Sequence, residues 1–111
     1  MSMDKISELL LPELRKVENN FHQALMELVE IASVIHENEQ GYPFGKNIDL
    51  ALRKALDICK LLGFRTFYDP KGYYGYAEIG TGEEMIGVLG HIDVVPAGKI
   101  DEWDTPPFQA T

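Results

Sequence analysis

The run from Met85 to Leu89 constrains the fold of this chain more than any other stretch, because it is built entirely of apolar residues and one glycine. A short and nearly continuous apolar run is typical of a β-strand that is covered on both faces. Such a strand needs neighbouring strands on each side, and the rest of the chain supplies few. The run therefore predicts an α/β fold whose sheet is incomplete.

Two main helices are predicted upstream of this run. In the first, apolar residues recur at three- and four-residue steps and predict a helix over about residues 4–35, interrupted near Pro12 because proline cannot donate a backbone hydrogen bond. The spacing favours a core-facing helix over a coiled coil. After a loop rich in glycine and proline, a second helix is predicted over 47–62, closed by Gly63 in a left-handed conformation. The first stripe consists of Ile6, Leu10, Leu14, Val17, Phe21, Leu25, Leu28, Ala32 and Ile35.

About three strands follow the helices, over residues 64–68, 73–79 and 85–91. The segment 80–84 contains two glycines and joins the last two strands, which predicts an antiparallel hairpin with a short loop. A chain of 111 residues is enough for one small domain with a single core. We therefore expect residues 1–111 to form one unit.

Composition and charge narrow the classes of partner. The net charge of −8 disfavours nucleic acid and anionic membranes. No apolar run approaches the roughly 20 residues that span a bilayer, and Asp4 and Glu8 interrupt any secretory signal pattern. The lone Cys59 excludes an intramolecular disulfide and fits a reducing compartment; its place in an apolar helical pattern favours a core residue over a nucleophile. We expect a cytoplasmic protein with no nucleic-acid or membrane partner.

His91 ends the apolar run, and Asp93 follows two positions later. A β-strand repeats every two residues, so both side chains can leave the backbone on the same side. That arrangement suits a metal-binding imidazole whose second ring nitrogen is held by a carboxylate. The residues alone leave a second interpretation open, in which His91 is a hydrogen-bonded histidine at a strand end and Asp93 caps a turn.

The surroundings of this pair resemble the first metal-site motif of the aminoacylase/carboxypeptidase-type zinc metallopeptidases. Upstream elements are similar to one branch, the bacterial dipeptidases that act on Xaa-His and other dipeptides. The resemblance covers nearly the whole chain. Its residues are Gly90-His91-Ile92-Asp93-Val94-Val95-Pro96-Ala97-Gly98, Trp103 and Pro107-Phe108, with Pro43-Phe44-Gly45, Leu61-Leu62-Gly63-Phe64, Gly72-Tyr73-Tyr74-Gly75-Tyr76 and Gly80-Thr81-Gly82 before them.

The resemblance implies a role for each matching residue. His91 would be the first ligand to one zinc ion of a two-zinc site. Asp93 would hydrogen-bond the His91 ring and fix its tautomer, and it is the candidate catalytic residue. Trp103, Pro107 and Phe108 would shape the surroundings of the site or serve packing alone.

The implied chemistry is hydrolysis of a dipeptide amide bond by a metal-activated water, with a glutamate as general base. The family's remaining ligand motifs do not occur in the sequence, and the Glu83-Glu84 pair is better explained as a solvated turn. We therefore expect residues 1–111 to be the truncated N-terminal part of a metallopeptidase catalytic domain. Alone, it is expected to be inactive, to bind zinc weakly or not at all, and to self-associate. The alternatives are an N-acyl amino acid deacylase or desuccinylase of the same family, and a non-catalytic interaction domain.

Overall fold

The computed structural model describes residues 2–111 and has two helices and a small sheet. The sheet has two antiparallel strands, and the second helix packs against both of them. The predicted α/β class and the two main helices are confirmed. In chain order the elements are α1 (Met3–Val29), α2 (Lys46–Leu61), β1 (Arg65–Tyr68), β2 (Gly75–Glu78) and a short 3-10 helix (Ile100–Glu102).

α2 ends as its sequence predicts. Gly63 follows the helix with a φ of 95°, a left-handed conformation that favours glycine. Its N–H donates to the carbonyl of Lys60 at 3.0 Å, and the N–H of Phe64 donates to the carbonyl of Cys59 at 3.0 Å. These two hydrogen bonds satisfy the last carbonyls of the helix in the pattern of a Schellman motif.

The core lies where α2 meets the hairpin of β1 and β2. Ile48 and Ala51 of α2 are its buried apolar residues. A Cβ atom built on Gly75 would lie 2.8 Å from Leu56 Cδ1 and 2.9 Å from the backbone oxygen of Phe67. The absence of a side chain at Gly75 therefore lets β2 lie directly against α2.

A polar network ties α2 to β1 beside this core. The Tyr68 hydroxyl donates to Oδ1 of the buried Asp49, and Arg53 Nε donates to Asp49 Oδ2 at 2.8 Å. The Arg53 guanidinium also lies over the Tyr68 ring, 4.1 Å from its centroid. The hydrogen bond to Asp49 raises the pKa of Tyr68, and burial adds to this effect. The network therefore stabilises the packing of α2 on β1 as long as the Tyr68 hydroxyl is protonated.

α1 departs from its prediction in three ways. It runs without interruption through Pro12, where the surrounding residues are exposed and water can solvate the carbonyl that loses its donor. It ends at Val29 rather than near residue 35, because Ser33 and Val34 leave the helical path to bond with residues 92–94. None of its described residues is buried, so it does not face the core.

Within residues 2–111, no helix combines the length and the apolar character needed to cross a membrane.

The predicted third strand and its hairpin are wrong. Residues 85–91 form no strand, and Val88 and Leu89 are 95% and 101% exposed. The hairpin instead joins β1 to β2, with Thr66 opposite Ala77 and Phe67 opposite Tyr76. The physical reason is that a strand apolar on both faces needs partners on each side, and the described residues offer it none. The two strands that do pair are adjacent in the chain and share the cover of α2.

Candidate functional site

His91 and Asp93 lie in contact. His91 Nδ1 lies 3.0 Å from the backbone oxygen of Asp93 and 3.2 Å from its Oδ1. A carbonyl and a carboxylate only accept hydrogen bonds, so the pair is satisfied when Nδ1 carries the proton and donates. The lone pair then resides on Nε2, and the His91 side chain is 83% exposed. This geometry leaves one ring nitrogen open to a ligand, which is what a metal-binding imidazole oriented by a carboxylate requires.

The contact forms without the strand that was expected to create it. Residues 91–103, named here the site loop, have an isolated bridge and a single 3-10 turn as their only regular structure. The two side chains are close in sequence, so a local bend of the backbone brings them together. The predicted proximity of His91 and Asp93 therefore needs no sheet.

An open groove of about 480 Å³ borders this pair. One wall is the end of α1 and the segment after it, and the other is the site loop with the residues that follow it. Trp103, Pro107 and Phe108 line this groove together with His91 and Asp93. This position is the one expected if they shape the surroundings of the site. Its lining residues are Leu25, Leu28, Val29, Ile31, Ser33, His91, Ile92, Asp93, Val94, Val95, Pro96, Ala97, Trp103, Pro107 and Phe108.

Two side chains hold the site loop in place. The Ser33 hydroxyl donates to the carbonyl of Ile92 at 2.9 Å, and the Trp103 indole N–H donates to the carbonyl of Ala97 at 2.9 Å. Ser33 was not among the residues singled out from the sequence. Its signal is a polar residue inside the otherwise apolar stretch 31–34, and the structure shows that residue to be buried.

The described residues do not form a complete metal centre. Across residues 2–111, no group of three or more histidine, cysteine, aspartate or glutamate side chains is placed to hold a metal ion. A catalytic zinc usually has three protein ligands. Of the other histidines, His22 is exposed on α1 and His36 pairs with Glu39 at 2.8 Å. The acidic pair at 83–84 is exposed, as expected for a solvated turn.

Comparison with known proteins finds relatives named as dipeptidases and as a desuccinylase. The chain is 40% identical over 86 residues to the protein named "Putative dipeptidase YtjP" of Bacillus subtilis, covering 76% of this chain and 18% of the relative. It is 37% identical over 87 residues to the Beta-Ala-Xaa dipeptidase of Lactobacillus delbrueckii subsp. lactis, covering 77% of this chain and 18% of the relative. It is 54% identical over 89 residues to the succinyl-diaminopimelate desuccinylase of Orientia tsutsugamushi, covering 80% of this chain and 22% of the relative.

The chain spans about a fifth of the length of the curated relatives it matches. No protein-family model matches it. The matched part is nevertheless most of this chain, and the names of the relatives give the two activities that the resemblance implies. The chain is therefore a relative of these dipeptidases and desuccinylases, and the predicted resemblance to the dipeptidase and aminoacylase type of peptidase is confirmed.

Proposed function

We propose that the chain supplies the first metal-binding loop of a zinc-dependent dipeptidase, which hydrolyses the amide bond of a dipeptide. The observation that carries the proposal is the contact of His91 Nδ1 with Asp93, which presents Nε2 to solvent. The similarity to dipeptidases gives that imidazole a chemical context. Without that similarity, an exposed histidine beside an aspartate would not by itself indicate a metal ligand.

The residues of the chain have distinct tasks in this proposal. His91 would bind one zinc ion through Nε2. Asp93 would keep the ring in the tautomer that leaves Nε2 unprotonated and would raise its basicity. Two bound zinc ions would supply an activated water and a polarised scissile carbonyl. The groove beside the pair would take part of the substrate, with its apolar wall at Trp103 and Phe108.

The 111-residue chain alone is proposed to be inactive. One imidazole leaves a catalytic zinc short of its usual three protein ligands, and the residues that line the groove include no acidic residue besides Asp93 that could act as general base. Zinc should therefore bind weakly. We also propose a cytoplasmic location, which the single cysteine supports.

Removal of a succinyl group is the second candidate function. Its support is the 54% identity over 89 residues to a desuccinylase. Dipeptide cleavage and desuccinylation both break an amide bond, so the role of His91 is the same in each. The two differ in the acyl side, which is an amino acid in one substrate and a dicarboxylic acid in the other.

The test begins with the coding sequence beyond codon 111. The longest product of that reading frame is purified and assayed with Xaa-His dipeptides, β-alanyl dipeptides and N-succinyl amino acids, with zinc and with a chelator. We expect zinc-dependent dipeptide hydrolysis that is lost in His91→Ala and kept in His22→Ala, a matched control at an exposed histidine. Turnover of the succinylated substrates alone would favour the desuccinylase. A reading frame that stops at codon 111 would refute both activities and leave the interaction domain.

A further inference from the structure

We propose that Ser33 is a positioning residue, which orients Asp93 and through it the His91 imidazole. This inference deepens the proposed function, since it rests on the metal-binding role of His91. Ser33 lies between α1 and α2, far from the site loop in sequence. It is 4% exposed, whereas the His91 side chain is 83% exposed.

Ser33 fixes both peptide groups that flank Asp93. Its hydroxyl donates to the carbonyl of Ile92 at 2.9 Å, on the peptide group before Asp93. Its own carbonyl accepts from the N–H of Val94 at 3.0 Å, on the peptide group after Asp93. Val34 and Val94 continue this contact as a parallel bridge. With both neighbouring peptide groups held, the direction in which the Asp93 side chain leaves the backbone is set.

The second of these peptide groups connects Ser33 to the His91 ring. In a trans peptide the N–H and the C=O point to opposite sides. Because the N–H of Val94 points to Ser33, the carbonyl of Asp93 points away from it. That carbonyl is the oxygen 3.0 Å from His91 Nδ1. Ser33 thus fixes the backbone that places the Asp93 carbonyl and from which the Asp93 carboxylate extends toward the imidazole.

The segment that precedes His91 gives little support to the contact between His91 and Asp93. Residues 85–90, which lead into His91, are all exposed. A buried hydroxyl is unfavourable unless it is hydrogen-bonded, so the bond to Ile92 keeps Ser33 and the site loop together. Loss of the hydroxyl should release the segment from Ile92 to Val94 and with it the His91 ring.

The test uses the 111-residue chain and reads the imidazole directly. Long-range ¹H–¹⁵N correlation spectra report the tautomer of His91 in the wild type, Ser33→Ala and Ser33→Thr. We expect the Nδ1–H tautomer in the wild type, a mixture of tautomers in Ser33→Ala, and recovery in Ser33→Thr because the hydroxyl is kept. Ser7→Ala, at an exposed position of α1, is the control that should change nothing.

A zinc titration followed by the His91 resonances forms the second arm. Ser33→Ala should weaken binding by about tenfold, the lower end of the effect of removing an outer partner of a metal ligand. Unchanged tautomer and affinity in a folded Ser33→Ala would overturn the inference. If Ser33→Ala does not fold, Ser33→Cys, whose thiol is a weak donor, is judged by the same criterion. A wild type that binds no zinc but shows the tautomer change leaves the positioning role standing, and loss or retention of zinc-dependent hydrolysis in His91→Ala of the longer product then decides the metal role.

Discussion

Removal of the Tyr68 hydroxyl should destabilise the protein by an amount that follows from its one partner. In Tyr68→Phe, Oδ1 of Asp49 loses its donor, and Asp49 is only 7% exposed, so water replaces that donor poorly. A hydrogen bond to a charged group contributes about 1.5–3 kcal/mol. Arg53 still donates to the other carboxylate oxygen at 2.8 Å, which keeps the charge partly compensated. We therefore expect the lower part of that range, about 1.5–2 kcal/mol.

That change reduces the ratio of folded to unfolded protein by roughly tenfold to thirtyfold, since about 1.4 kcal/mol corresponds to a factor of ten. Urea unfolding followed by far-UV circular dichroism measures it. Tyr76→Phe is the matched control, because Tyr76 is 52% exposed and its ring stacks on Phe67, a contact that phenylalanine keeps. The control should stay within about 0.5 kcal/mol of the wild type. Equal midpoints for the two variants would refute the stabilising role assigned to the Asp49 network.

Three further outcomes are expected. The hydrogen bond to Asp49 raises the pKa of Tyr68 above the ordinary tyrosine value. The stability that this bond contributes is therefore present below that ordinary value and is lost as pH rises through the higher pKa of the folded state, so alkaline unfolding should be less steep in Tyr68→Phe. Gly75→Ala should cost about 1–3 kcal/mol by overpacking, measured against Gly87→Ala, where a Cβ meets nothing within 4 Å. The exposed apolar run that includes Ile86 and Val88 should cause self-association: light scattering should show a mass above the monomer that falls in Val88→Lys, and a strictly monomeric mass at high concentration would contradict it.

The parts of the fold that sequence predicted are those whose causes are local. α2 has a helical stripe and a glycine at the position where it ends, and both signals lie within the helix and its cap. The contact of His91 with Asp93 is equally local, because a single residue separates the two in sequence. A few neighbouring residues are therefore enough to predict both the helix with its end and the contact of the two side chains.

The features that differ from their predictions are those that distant residues determine. The end of α1 is set by a hydrogen bond from Ser33 to a residue 59 positions away, and the helical stripe gives no indication of it. The hairpin turn lies between Tyr68 and Gly75 rather than over residues 80–84. The sequence Asp69-Pro70-Lys71-Gly72 is itself a turn signal, and Asp69 accepts from the N–H groups of Gly72 and Tyr73 at 2.8 and 3.1 Å. The apolar run after β2 predicts a paired strand, and this prediction is wrong because strand propensity says nothing about whether a partner exists.

The site loop should unfold before the unit formed by α2 and the hairpin. The loop is held by bonds from Ser33 and Trp103, whereas the hairpin unit has the buried residues and the Asp49 network. Segments with few buried contacts open at lower free energy than the core. Trp103 is the only tryptophan, so its fluorescence reports the loop alone. The urea midpoint from Trp103 fluorescence should lie below the midpoint from the near-UV circular dichroism of the tyrosines, which include Tyr68 of the hairpin. Coincident midpoints would show instead that the loop and the hairpin unit unfold as one, in which case the orientation of His91 would depend on the whole fold rather than on the Ser33 contacts.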